Sequence, residues 1–155
     1  MADLTAGDKA PSFSLPRDGG GTVSLAEFRG RKLVLYFYPQ ADTSGCTREA
    51  QDFSRLAGAF VKAGTAVLGI SADSVNKLDR FKATHKLSVA LASDEQHTVL
   101  EAYGVWAEKS MYGRRYMGIL RNTVLIGPDG RIAQVWEKVK VDGHAEAVLA
   151  AAKAL

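Results

Sequence analysis

The sequence predicts an α/β fold: one mixed central sheet with helices on both faces and a β-hairpin extension before it. Three observations carry this. Residues 33–38, LVLYFY, form an unbroken apolar and aromatic run, as a strand covered on both faces requires. A helical apolar stripe and a second apolar run, TAVLGISAD, follow, which makes a βαβ unit with parallel strands. The chain then closes with NTVLIGPDGRIAQVWE, two strands around a turn, and the helical GHAEAVLAAAKAL.

The elements follow in order. APSFSLPRDGGGTVSLAEF alternates apolar Phe13 and Leu15 with polar residues, and Gly19, Gly20 and Gly21 supply a turn between two short extended segments. This glycine run lacks the GK[ST] ending of a phosphate loop. Pro39 ends the first central strand, because proline cannot continue a ladder. Residues 44–63 read as one helix, with Phe53, Leu56, Ala57 and Phe60 as its core stripe and Asp42, Thr43 and Ser44 as N-cap candidates. Gly64 is a fitting stop. SVNKLDRFKATHKL is a second helix with Val75, Leu78 and Phe81 inward; VALASDE is a short strand; HTVLEAYGV is a short helix. WAEKSMYGRRYMGILR shows no clean period and is expected to be a long loop. In the hairpin that follows, Pro128, Asp129 and Gly130 make the turn. The order is a β extension, βαβαβα, then ββα, which is a thioredoxin-like layout.

A length of 155 residues fits one domain spanning 1–155, since two would each have a marginal core. The composition, 46% hydrophobic and 24% charged, is ordinary for a soluble globular domain. No stretch is long and apolar enough for a transmembrane helix, so no membrane association is expected. MADLTAGDKAPSF has no apolar core and no small-residue cleavage pattern, so no secretory signal is expected. The net charge is +3, with Lys and Arg spread along the chain, whereas a nucleic-acid surface needs them on one face. Cys46 is the only cysteine, which forbids an internal disulfide and points to a reducing compartment, the cytoplasm.

Cys46 falls in the first turn of the 44–63 helix. Unpaired N–H groups and the positive end of the helix dipole favour a thiolate there, the reactive form of cysteine. Thr43 stands three residues earlier, where its hydroxyl can reach the sulfur or a bound oxygen, and Pro39 can wall the pocket from water. The plain alternative has equal weight on position alone: Cys46 aligns with Ala50 and Phe53, as a small buried hydrophobe would. Metal binding is not expected, because His85, His97 and His144 have no ligand spacing and each is expected in a loop or at the surface. Without CxxC, thioredoxin-type disulfide exchange is not expected either.

YPQADTSGCTREAQDF carries the pattern P-x-x-x-T/S-x-x-C at Pro39, Thr43 and Cys46, and so resembles the peroxiredoxin signature. GDKAPSFSLP, VLGISADS, LASDE and YGVWAEKSMYGRRYMGILRNTVLIGPDGRI, in this order, resemble the peroxiredoxin Q, or bacterioferritin comigratory protein, subfamily from about Leu4 to Val148. The resemblance implies a thioredoxin fold and a thiol-dependent peroxidase, with Cys46 as peroxidatic cysteine, Thr43 as the hydroxyl that binds peroxide, and Pro39 as the shield. Arg121, in LRNTVLI, is on its own a solvated strand-end charge; the resemblance makes it the active-site arginine, which stabilises thiolate and peroxide oxygens. Glu49 either pairs with Arg121 or is a plain N-terminal carboxylate.

The implied reaction is attack of the Cys46 thiolate on a peroxide oxygen held by the Gly45 and Cys46 amides, Thr43 and Arg121. Water or an alcohol leaves and Cys46 becomes a sulfenic acid, with no metal, flavin or haem cofactor. A resolving cysteine is common in the subfamily five residues later or in the next helix; here those places hold Gln51 and RFKATHKL. The chain is therefore of the 1-Cys type, and an external thiol (thioredoxin, glutaredoxin or glutathione) must restore it. The resemblance implies a monomer, with dimers among relatives. Two further readings remain open at this point: a redox sensor that passes oxidation to a partner protein, and a structural domain in which Cys46 is inert.

Overall fold

A computed structural model describes residues 4–155; the start of the stretch read for a secretory signal lies outside them. The chain runs β1 (Ser14–Pro16), β2 (Thr22–Ser24), a short 3-10 helix (Leu25–Phe28), β3 (Lys32–Phe37), α1 (Ser44–Arg55), α2 (Ala57–Lys62), β4 (Thr65–Ser71), α3 (Val75–His85), β5 (Ala90–Ser93), α4 (Thr98–Ala102), β6 (Trp106–Met111), β7 (Arg114–Ile119), β8 (Thr123–Ile126), β9 (Ile132–Trp136) and α5 (His144–Ala154). The central sheet has the order β5-β4-β3-β8-β9. β3, β4 and β5 are parallel, whereas β8 pairs antiparallel with β3 and β9 antiparallel with β8.

β3 is the central strand, and its side chains alternate between two cores. Val34, Tyr36 and Tyr38 enter one core with Phe53, Phe60, Leu78, Phe81 and Val148, under α1, α2, α3 and α5. Leu33, Leu35 and Phe37 enter the other, with Phe13, Leu15, Val99 and Leu100, under α4 and the β1–β2 hairpin. That is why its whole sequence is apolar. Gly69 on β4 makes room for this packing: a Cβ there would lie 2.6 Å from the Tyr36 ring, which stacks on Phe53 at 4.7 Å.

Two expectations fail. The helix over 44–63 is interrupted at Leu56 (φ −94°, ψ 6°), so that α1 and α2 are separate segments. Gly58, a weak helix former, sits just past the break. The loop expected over 106–121 is instead a β-hairpin, β6–β7, paired with no other strand. Its turn holds Tyr112 and Gly113 at φ 53° and 76°, so a left-handed tyrosine stands where asparagine is usual. Both strands are largely exposed, so no apolar alternation marks them.

Candidate active site

The site forms where β3 ends. Past Phe37 the chain passes Tyr38 and the half-buried Pro39, then turns through Asp42 at φ 66° into α1. Two bonds hold this turn: the Ala41 N–H donates to Asp73 Oδ2 (2.7 Å), and Asp42 Oδ1 meets His85 Nε2 (2.7 Å). Thr43 occupies the N-cap position, but its side chain does not cap the helix. Its hydroxyl donates to the Gln40 carbonyl (2.8 Å), and among the described residues no hydrogen bond joins it to Cys46. The first intrahelical bond is donated by Thr47 N–H to the Thr43 carbonyl (2.8 Å). The amides of Ser44, Gly45 and Cys46 therefore have no helical acceptor and present partial positive charge.

Cys46 lies in that first turn, 1% exposed, within the core under α1. The plain expectation for it, a residue on the inward stripe with Ala50 and Phe53, describes its burial correctly. What packing alone does not explain is its partner. Arg121 Nη2 donates to Cys46 Sγ at 3.3 Å, and Nη1 donates to Glu49 Oε1 at 2.7 Å. Gly45 lets the guanidinium come this close, since a Cβ there would lie 3.3 Å from Nη2.

Arg121 comes from the connection between β7 and β8. Its carbonyl accepts from Val139 N–H (2.8 Å), and the next carbonyl, of Asn122, accepts from Phe37 N–H (2.8 Å). The Asn122 side chain accepts from Lys138 N–H (3.0 Å). The backbone that carries the guanidinium is thus fixed against β3, the strand that delivers Cys46.

Glu49 is not the solvated carboxylate of the plain alternative. It is 1% exposed, and its Oε2 has no hydrogen-bond partner among the described residues. Burial pushes its carboxyl up to about 7, although Arg121 opposes the shift. For Arg121, burial works against the charge, but Glu49 and Cys46 outweigh it and hold the guanidinium firmly protonated.

The histidines do not gather. His97 stacks on Trp106 with centroids 3.8 Å apart, and His85 pairs with Asp42. His144 corrects the expectation of a surface or loop position: it is 6% exposed at the start of α5, its Nε2 is 2.8 Å from Thr123 Oγ1, and it packs edge-on to Phe53 and Trp136. Burial first, and Arg121 second, depress it to about 4.

On sequence grounds Trp106, Met111, Tyr112 and Tyr116 of WAEKSMYGRRYMG either line an accessory apolar surface beside the active site or serve as packing. In the structure Trp106 and Tyr116 line a cleft there, and Met111 and Tyr112 do not. This cleft, of about 390 Å³, lies between Pro39, Gln40, Asp73 and the β6–β7 hairpin, which contributes Trp106, Lys109, Tyr116 and Met117. The hairpin is remote in sequence and shows no burial pattern, so only the fold could bring it there.

The arrangement can hold a thiolate, with one cation and a set of free amides to receive an oxygen-rich ligand. The AhpC/TSA family profile matches residues 6–135 of the chain. The chain belongs to the AhpC/TSA family. Among its relatives, a putative peroxiredoxin bcp of Coxiella burnetii is 48% identical over 146 residues, covering 94% of this chain and 97% of the relative. Peroxiredoxin Bcp of Escherichia coli K12 is 46% identical over 149 residues, 96% of each chain. Among solved structures, a cysteine-to-serine mutant of Xylella fastidiosa PrxQ superposes with a TM-score of 0.93 at 37% identity, covering 99% of this chain and 98% of that one. The bacterioferritin comigratory protein of Xanthomonas campestris, described for its alkyl peroxide reduction activity, superposes at 0.87 and 45% identity, covering 92% and 90%. The fold of this AhpC/TSA member is thioredoxin-like, and the protein is a peroxiredoxin, a thiol-dependent peroxidase. These likenesses do not favour the sensor and inert-domain readings. Among the described residues, no helix is long and apolar enough to cross a membrane.

Proposed function

We propose that Cys46 is the peroxidatic nucleophile of this peroxidase, acting on hydrogen peroxide and on organic hydroperoxides. The observation that carries this is the 3.3 Å contact from Arg121 Nη2 to a sulfur in the first turn of α1. A guanidinium and open amides at one place stabilise both the thiolate and the charge that develops on the leaving oxygen. The sulfur attacks one peroxide oxygen, the O–O bond breaks, and the leaving oxygen takes a proton to become water or an alcohol. The Gly45 and Cys46 amides hold the substrate. Since the Thr43 proton already goes to Gln40, the Thr43 hydroxyl serves the peroxide as an acceptor. Pro39 walls the site from water. Glu49 positions Arg121 from the side away from the sulfur.

The alkyl peroxide chemistry ascribed to the Xanthomonas campestris relative supports the wider substrate range. The Cys46 sulfenic acid is restored by an external thiol, because the chain has no other cysteine. The cycle balances without a cofactor. We place the protein in the cytoplasm, as a monomeric single domain over 1–155, in peroxide defence.

The test is oxidation of reduced protein by hydrogen peroxide, followed by intact mass with a sulfenic-acid trap. A single trapped oxygen on the native chain, and none on Cys46→Ser, is expected. Arg121→Ala should slow the oxidation by about 10²-fold or more, as loss of one oxyanion donor does. A native Cys46 that needs millimolar peroxide and minutes would sink the proposal.

A further inference from the structure

The cleft beside Pro39 carries an unpaired charge. Lys109 lies on β6, opposite Tyr116, and its stem crosses Gly118: a Cβ there would sit 3.1 Å from Lys109 Cδ. The neighbouring carboxylate, Glu108, is taken by Arg115 (3.4 Å), and among the described residues none pairs with Lys109. The one carboxylate that lines the cleft, Asp73, is already satisfied. It has Lys77 Nζ at 3.1 Å, and its Oδ2 accepts from Ser71 Oγ (2.8 Å) and Ala41 N–H (2.7 Å). Burial first, and the Arg121 charge second, lower the Lys109 ammonium from its ordinary value, and the Cys46 sulfur opposes them. The cleft therefore has a net positive, partly apolar lining. Its volume, about 390 Å³, is within the range for small-ligand sites, about 300–1,000 Å³.

The second observation is access. Cys46 is 1% exposed and the chain holds no other thiol. Whatever reduces it must bring a slender sulfur to a recessed one. We propose that this cleft is the docking site of a small anionic thiol, a cysteine-containing peptide with free carboxylates, which Lys109 anchors while its sulfur passes Pro39 to oxidised Cys46. This rests on the peroxidase role of Cys46 and names the reductant class for that same site. The thiol sulfur bonds to the Cys46 sulfur, the S–O bond breaks, and the hydroxide takes the thiol proton and leaves as water. A second thiol then cleaves the mixed disulfide, releasing the peptide disulfide and returning Cys46 as a thiol. Two thiols are oxidised for each peroxide reduced.

The experiment starts from native protein oxidised with one equivalent of hydrogen peroxide and follows re-reduction by quenched intact mass. The probes are glutathione and its diester, which lacks the carboxylate charges, at equal thiolate concentration in ~0.1 M salt. Glutathione should be faster by about fivefold or more, the scale of one partly exposed ion pair, and should saturate. Lys109→Glu should abolish or invert the ratio. Lys9→Glu is the control for net charge: Lys9 shares a cleft with Leu33 at the opposite end of β3, about 20 Å away by strand rise. It should leave the ratio within about twofold, because the distance exceeds the screening length, ~10 Å at 0.1 M salt. A native ratio near one overturns the docking site, as does an equal change in both variants. Reduced thioredoxin that outpaces glutathione more than about tenfold at equal concentration overturns the small-thiol class. A Cys46 that fails the first oxidation instead overturns the peroxidase role itself.

Discussion

Arg121 holds two acids with one guanidinium, Nη2 on the Cys46 sulfur and Nη1 on the Glu49 carboxylate. The two differ in what burial costs them. Glu49 Oε2 has no partner, so the charged carboxylate is incompletely compensated, and its folded value of about 7 lies above the ordinary 4.5. A raised acid favours folding in full below its unfolded value, and this contribution is lost as pH rises through 7. Glutamine copies the protonated acid and cannot ionise. Glu49→Gln should therefore be more stable than the native chain by about 1–3 kcal/mol at pH 8 and by less at pH 5. Urea unfolding at the two pH values measures this. A greater loss of stability at pH 8 than at pH 5 would mean that the ion pair outweighs the burial. The residues at this site were legible through the resemblance: the P-x-x-x-T-x-x-C pattern of the peroxiredoxin signature pointed to Pro39, Thr43 and Cys46. The resemblance alone pointed to Arg121, whose strand-leading position by itself reads as a solvated charge. The protonation balance of Glu49 was not, because it depends on how much of the carboxylate the core covers.

At the scale of elements, legibility followed burial. β3 and β4 pass through two cores or lie beside them, and their apolar runs announce this. The β6–β7 hairpin touches no core along most of its length, so nothing in its sequence alternates. Met111, Tyr112, Tyr116 and Met117 stay exposed, Tyr112 at 99%. The β1–β2 hairpin is the reverse case, short in sequence but well tied down. Asp18, in its turn, is buried and accepts from Leu91 N–H (2.8 Å) and Lys82 Nζ (2.8 Å), while the Gly19 N–H donates to Asp79 (2.8 Å). These bonds join the hairpin to β5 and α3. Burial works to raise the Asp18 carboxyl, but Lys82 and the Leu91 amide outweigh it, and it stays below its ordinary value. Asp18→Ala strands a buried amide and should cost about 2–3 kcal/mol at pH 7. The cost should shrink as pH falls below the ordinary aspartate value and through the lowered folded value of Asp18, where the native carboxyl is protonated too. Chemical denaturation at pH 7 and at about pH 2–3 measures this, and an unchanged midpoint at pH 7 would show that the turn is held by other contacts.

The molecule as a whole has two opposing acid responses. His144, held neutral and depressed to about 4 from 6.5, contributes stability above pH 6.5 that is lost as pH falls through 4. Glu49 gains protons in the fold over part of the same range and stabilises it as pH falls. Between about pH 6.5 and 4.5 these two contributions offset each other, and their sum is flatter than either. His144→Gln, which keeps a hydrogen-bonding group for Thr123, should remove the loss, so that its melting temperature drops less than the native one between pH 6.5 and 4. An equal drop in both would place the acid sensitivity elsewhere.

The sequence by itself determined the layout of the central sheet and its flanking helices, because strands are written locally by runs of apolar residues and the first helix start by Pro39 to Ser44. One cysteine in a first turn reads equally as a buried hydrophobe, and it was the resemblance to the peroxiredoxin signature that pointed to Cys46 as the nucleophile. The sequence also determined that Cys46 has no internal resolving partner. Only the tertiary structure decided which distant groups meet the sulfur. Arg121 reaches it because β8 pairs beside β3, Glu49 is buried because α1 packs onto that pair, and Lys109 stands at the cleft because the hairpin folds back past Pro39. Those relations join residues about 70 positions apart, and no local pattern encodes them, since each side chain's charge and accessibility is set by what the rest of the chain places around it.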